Sequence, residues 1–137
     1  QCLNNLAVQL ERQGKYEQAR PLYERAFSIH EQTLGSLHPL TAQSLNNLAE
    51  LLRAQGEYEQ ARPLYERALS IHEQALGPDH PSTAVSLNNL AELLRAQGKN
   101  EQARPLFERA LAICERSLGV DHPMTRIIRG NVADPHS

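Results

Sequence analysis

The pentapeptide Leu-Asn-Asn-Leu-Ala occurs three times, at residues 3–7, 45–49 and 87–91, with a constant spacing of 42 residues. Near-verbatim copies at one fixed period mark a solenoid, in which each unit is a supersecondary motif that buries its apolar face against its neighbours. Alignment gives units at 1–42, 43–84 and 85–126, followed by a degenerate capping helix over 127–137, all within one repeat domain spanning 1–137. Gln1 aligns with Gln43, so the first unit lacks the Pro-Leu-Thr-Ala that precedes Gln43. The chain therefore reads as a piece of a longer array.

Within the second unit, Leu45, Leu48, Ala49 and Leu52 follow the i, i+3, i+4, i+7 pattern of an amphipathic helix. Its start is expected near Pro39, because proline suits a first turn whose N–H groups have no helical partner. Gly56 is expected to end it with a left-handed residue. A second stripe, Ala61, Leu64, Tyr65, Ala68, Leu69, His72 and Leu76, runs to Gly77. Pro63 lies early enough in that helix to remove one ladder bond at most. Small residues at Ala49, Ala61 and Ala68 permit close helix crossings, with Leu45, Leu48, Leu52 and Tyr65 filling the space between. The fold class that follows is all-α, an α-solenoid of tandem helix-turn-helix units.

The run Leu45, Leu48-Ala49, Leu52, Gly56, Tyr58, Ala61, Tyr65 and Ala68 resembles the tetratricopeptide repeat, over essentially the whole chain. The family's usual unit is about 34 residues, and the longer unit here is similar to the long repeats of kinesin light chains and their bacterial relatives. The linkers Ser36-Leu37-His38-Pro39, Pro78-Asp79-His80-Pro81 and Val120-Asp121-His122-Pro123 carry that resemblance further. It implies a right-handed solenoid whose first helices line a concave groove, serving as a scaffold for protein or peptide partners.

Paired asparagines are the sharpest functional signal. Asn competes with the backbone for hydrogen bonds and is a poor helix-interior residue, yet the pair recurs at Asn4 and Asn5, Asn46 and Asn47, and Asn88 and Asn89. Each amide offers two donors and an acceptor, which suits gripping the backbone of an extended peptide. The resemblance places these six, together with Asn131, on the peptide-binding groove. Glu50, Arg53, Glu92 and Arg95 share that face and are candidates to select among partner side chains. Rungs about 10 Å apart would match about three residues of extended chain at about 3.3 Å each. Two bland readings compete: one Asn of each pair bridges neighbouring helices, and the Glu/Arg pattern is a solvated face.

Composition limits the other classes. A net charge of −2 and a pI near 6.3 give no attraction to nucleic acid or anionic lipid, and no apolar run approaches a membrane span. Cys2 and Cys114 share no repeat position, so a reducing cytoplasm is the expected compartment. No cofactor or metal is expected: His38, His80 and His122 recur one repeat apart, too far to share an ion, and read as turn and capping residues. No phosphate loop, nucleophile motif or isolated carboxylate pair supports catalysis. The competing function is a structural spacer or a solenoid that self-associates weakly through its repeat ends.

Overall fold

Histidine and proline together start the helices that follow the linkers. In the structure, a computed structural model that describes residues 2–133 and the side chains of residues 6–132, Pro39 opens the helix Pro39–Ala54. His38 caps it, its Nδ1 accepting the Leu40 N–H at 3.0 Å. Pro81–Ala96 begins the same way, with His80 accepting from Ser82 at 3.0 Å. His122 accepts from Met124 at 3.1 Å ahead of Pro123–Ala133. Each cap satisfies one orphan donor of the first turn. Thr41 and Thr83 tighten two of these linkers by donating to the Gly35 and Gly77 carbonyls.

The turn at Gly56 shows how the opposite end is closed. Gly56 N–H donates to the Arg53 carbonyl at 3.0 Å and Glu57 N–H to the Leu52 carbonyl at 2.9 Å. With φ +81° at Gly56, this is a Schellman turn, which a side chain at that position would strain.

Among the described residues there are seven helices and no strand: α1 Cys2–Arg12, α2 Tyr16–Leu34, α3 Pro39–Ala54, α4 Tyr58–Leu76, α5 Pro81–Ala96, α6 Asn100–Ser117 and α7 Pro123–Ala133. Prolines Pro21, Pro63 and Pro105 are carried inside α2, α4 and α6 without ending them. The last helix begins at Pro123 rather than at 127, because the linker proline and the His122 cap define its first turn just as they do for α3 and α5.

The chain divides into two compact units, 1–71 and 72–137. In the first, α1 packs on α2 and α2 on α3. Ala42 and Leu45 of α3 meet Ala68 and Ile71 of α4, with Phe27 and Leu64 against them. Ala49, Ala61 and Ala68 are fully buried, as are Leu45 and Leu51. In the second, α5 packs on α6 and α6 on α7, around Leu87, Ala91, Phe107, Ala110 and Ile113. Exposed ion pairs join successive second helices, Arg67 to Glu31 at 2.6 Å in the first unit and Arg109 to Glu73 at 2.7 Å in the second. Pairs this exposed contribute at most about 1 kcal/mol each.

Two core positions change character in α7. Ala84 and Leu87 of α5 are fully buried, whereas their counterparts Arg126 and Arg129 are exposed. Arg129 turns back, donating to the Val120 carbonyl at 3.0 Å and lying 3.6 Å from Glu115. Arg126 and Arg129 thus put charge on the exposed surface of α7, beside Ile127, which is 63% exposed.

A histidine–serine pair is built into the packing of each unit. His30 Nδ1 lies 2.6 Å from Ser44 Oγ, and His72 Nδ1 lies 2.6 Å from Ser86 Oγ. One repeat on, Cys114 and Ile128 hold the same two positions, both buried, so a polar pair is exchanged for an apolar one. Burial of His72 pushes its pKa below the ordinary value of 6.5, and the charge of His80 adds to that. Protons then bind the unfolded chain first, so His72's contribution to stability is intact above about pH 6.5 and declines as pH falls towards the lower folded-state pKa.

Two outcomes follow from this packing. Ala49→Leu or Ala68→Leu inserts methylenes at a closed helix crossing and is expected to destabilise by about 1–3 kcal/mol; an unchanged thermal melt would place the core elsewhere. The melting temperature is expected to fall as pH is lowered from about 7 to about 5. His72→Cys with Ser86→Ile, which copies the third repeat's pair, is expected to remove part of that fall, and an identical pH profile in the variant would show that His72 does not contribute.

Candidate functional site

Helical spacing brings the candidate residues of the first unit together. Val8, Glu11 and Arg12 lie at i, i+3 and i+4 on α1, and Asn47 and Glu50 at i and i+3 on α3, so each set shares one helix face. With Tyr16 and Tyr23 of α2 they line a cleft of about 440 Å³. Tyr23 is only 2% exposed, and its hydroxyl donates to Glu11 Oε1 at 2.7 Å. Its pKa is pushed well above the ordinary tyrosine value, first by burial, then by the hydrogen bond to Glu11 and by the charges of Glu11 and Glu50. The phenol therefore stays a donor, and the two carboxylates make this cleft locally negative despite Arg12 on its rim. Asn46 and Arg53 are half-buried and do not line it. Asn4 and Asn5 lie outside the described side chains.

In the second unit a smaller pocket of about 120 Å³ is lined by residues of α5, α6 and α7, among them Arg95, Asn100, Phe107, Asn131 and Val132. The Arg95 guanidinium stacks over the Phe107 ring, 5.0 Å from its centroid, a cation–π contact. Its Nη1 is buried without a hydrogen-bond partner among the described residues. Asn131 donates through Nδ2 to Asn88 Oδ1 at 3.0 Å, so these two candidates form a bridge between α5 and α7. Asn89 and Glu92 are half-buried and outside the pocket.

Candidates of the first unit thus converge as Asn47 and Glu50, and those of the second as Arg95 and Asn131. The helical period did not disclose the aromatic floor, Tyr23 in one and Phe107 in the other, which comes from the second helix of each pair. The available signal was that both positions vary between copies: Glu11 with Tyr23, Arg53 with Tyr65, and Arg95 with Phe107. Among the described residues no group of three or more His, Cys, Asp or Glu could hold a metal ion. None of the described helices is long and apolar enough to cross a membrane. Burial raises the pKa of Cys114, which keeps its thiol protonated and unreactive.

Tandem helix pairs with this capping, these alanine crossings and this face define the tetratricopeptide class. The family model for the tetratricopeptide repeat matches residues 1–74, 41–116 and 86–134, and the chain belongs to that family. No curated protein sequence matches it. Among solved structures it is similar to a kinesin light chain-like protein of Podospora anserina with nearly identical TPR-like repeats. The identity is 29% and the TM-score 0.89, over 98% of this chain and 64% of that one. It is also similar to BtubC of P. vanneervenii, with 28% identity and a TM-score of 0.83, over 97% of this chain and 54% of that one. The chain thus spans less than two thirds of the length of either. The type III secretion translocator chaperone SycD of Yersinia enterocolitica, at 17% identity and a TM-score of 0.72, over 96% of this chain and 85% of that one, shares the fold. The repeats are of the kinesin light chain-like kind, and repeats of this family in general mediate protein–protein interaction.

Proposed function

We propose that this chain is a non-enzymatic scaffold that holds an extended segment of a partner protein against the first helices of its repeats. One observation carries the reading. Both concavities sit at the same position of the repeat, and each is lined by the asparagine of that position, Asn47 in one and Asn131, two periods on, in the other. A side-chain amide beside an aromatic floor offers backbone hydrogen bonds with little regard to sequence, while the charged neighbours, Glu11 and Glu50 or Arg95, discriminate between side chains. Neither the charge balance nor the helices favour nucleic acid or a membrane as the partner, and the cytoplasm is the compartment that best suits the buried free thiol of Cys114.

The Asn131–Asn88 bond favours a second reading, in which the asparagines are bridges and the repeats act as a spacer. Exposed Leu6 and Ile29 in the first unit, 48% and 43% accessible, then become a surface for weak self-association. Sedimentation of a strict monomer at high concentration would remove the self-association and leave the spacer.

A peptide-library or pull-down screen with the wild type beside Asn47→Ala/Asn89→Ala separates the two. The scaffold reading expects a melt close to wild type and binding weaker by about 1–3 kcal/mol, the usual cost of lost hydrogen bonds in a desolvated site. A lower melting temperature with binding intact would make the asparagines structural and sink the reading of the face. Asn131→Ala, by contrast, is expected to cost about 1 kcal/mol of stability through its lost bond to Asn88, measurable by chemical denaturation.

A further inference from the structure

The cleft of the first unit joins carboxylates to an aromatic wall. Glu11 of α1 and Glu50 of α3 line it from two different helices, together with Tyr16 and Tyr23 of α2 and the amide of Asn47. Its volume of about 440 Å³ gives room for a long side chain and the backbone that carries it. Arg12 on the rim offsets one acidic group, and two carboxylates against one guanidinium leave the cleft negative.

Glu11 is held in place by the floor of the cleft. Tyr23, only 2% exposed, donates its hydroxyl to Glu11 Oε1 at 2.7 Å. A carboxylate accepts through both oxygens, at about four lone-pair positions, and the phenol takes one of them. The acceptor capacity that remains on Glu11 borders the cleft. Besides burial and that hydrogen bond, the charges of Glu11 and Glu50 both push the Tyr23 pKa up. The fields of the two acids therefore meet at one point, which is where a cation entering the cleft is drawn.

The chain itself shows what the aromatic at this repeat position takes as a neighbour. By the 42-residue period, Glu11, Arg53 and Arg95 are equivalent, as are Tyr23, Tyr65 and Phe107. In the third copy the Arg95 guanidinium stacks over the Phe107 ring, 5.0 Å from its centroid. The first copy keeps the aromatic and replaces the cation by a carboxylate, so here a guanidinium has to come from outside. Arginine suits the site better than lysine. Its planar fork of donors meets a carboxylate edge and an aromatic face together, whereas an ammonium is a compact, strongly hydrated point charge.

We propose that the cleft on α1, α2 and α3 is a recognition site for an arginine side chain of a bound extended segment, with the guanidinium between Glu11 and Glu50 and beside Tyr16. The proposal rests on the partner-binding reading above and names a ligand chemistry for it, a segment with arginine at this site.

Fluorescence anisotropy of the whole chain with short labelled peptides tests it. Each peptide carries one arginine in randomised uncharged surroundings, and matched sets carry lysine or citrulline, the latter keeping the shape of arginine without its charge. Glu11→Gln/Glu50→Gln removes both carboxylates while leaving an amide oxygen to accept from Tyr23. Glu11→Arg copies the residue of the other two repeats. Glu24→Gln/Glu66→Gln removes the same charge from exposed positions on α2 and α4. Thermal melts confirm that each variant folds.

The wild type is expected to bind the arginine set about tenfold or more tightly than the citrulline set, the discrimination that hydrogen bonds between charged groups supply, with lysine between the two. Glu11→Gln/Glu50→Gln and Glu11→Arg are each expected to erase the preference, and Glu24→Gln/Glu66→Gln to keep it. Equal binding of arginine and citrulline by the wild type, lysine bound as tightly as arginine, or cleft variants that keep the preference would overturn the arginine site and leave the scaffold reading standing. So would a preference lost equally in Glu24→Gln/Glu66→Gln, which would mark a general effect of charge. Failure of all three sets to bind the wild type would overturn both. Self-association without peptide that Glu11→Arg abolishes would assign the cleft to an arginine of a second copy and overturn its assignment to a partner.

Discussion

Close approach of helices at alanine governs this structure. Ala49, Ala61 and Ala68 have no accessible surface, and their counterparts in the first and third copies are buried to within 5%. A methyl group takes little room between packed helices, which permits their close approach. Once that spacing is set, the larger residues have little choice. Leu45 and Leu87 are fully enclosed, and the aromatic at Tyr23, Tyr65 or Phe107 is pressed against its neighbours with 2% or less of its surface exposed. The linker caps and the Schellman turn at Gly56 then hold each helix at the length that keeps those contacts in register.

Much of this was legible because the repeat supplies its own internal control. The stripe Leu45, Leu48, Ala49, Leu52 and the start at Pro39 follow directly from spacing and proline stereochemistry. Leu51 and Leu93, both fully buried, fell outside the stripe for a physical reason. A single apolar face is what a helical period detects, but α3 is packed against α2 on one side and α4 on another, so it is buried around more of its circumference. Asn47 and Glu50 were assigned to one face by their i, i+3 spacing. The aromatic floor and the Glu11–Tyr23 bond were not, because they depend on where one helix crosses another. The roles of Asn88 and Asn131 could not be separated by sequence at all, since an amide that bridges two helices and one that meets a ligand have the same donors and acceptors.

Departures from the repeat carry information that the identities do not. His72 with Ser86 and Cys114 with Ile128 show why the changes come in pairs. Leaving His72 opposite an isoleucine would bury an imidazole without its hydrogen bond to Ser86, and leaving Ser86 opposite a cysteine would replace that short bond by a weak one. Exchanging both members replaces a polar contact by an apolar one of similar bulk, which a packed core tolerates.

The same logic orders the residues that line the two concavities. Glu11 opposite phenylalanine would lose the 2.7 Å hydrogen bond from the phenol and would lie near the negative face of a ring, whereas arginine is attracted to that face. Arginine is compatible with either aromatic, which is why the middle copy can combine Arg53 with Tyr65 and stand between the other two. The scaffold therefore permits the charge of this position to be reversed without disturbing the alanine crossings beneath it. A solenoid built of nearly identical units can in this way present chemically distinct surfaces, because buried residues such as Tyr23, Ala103 and Phe107 serve both the packing and the concavity walls while the charged position beside them changes.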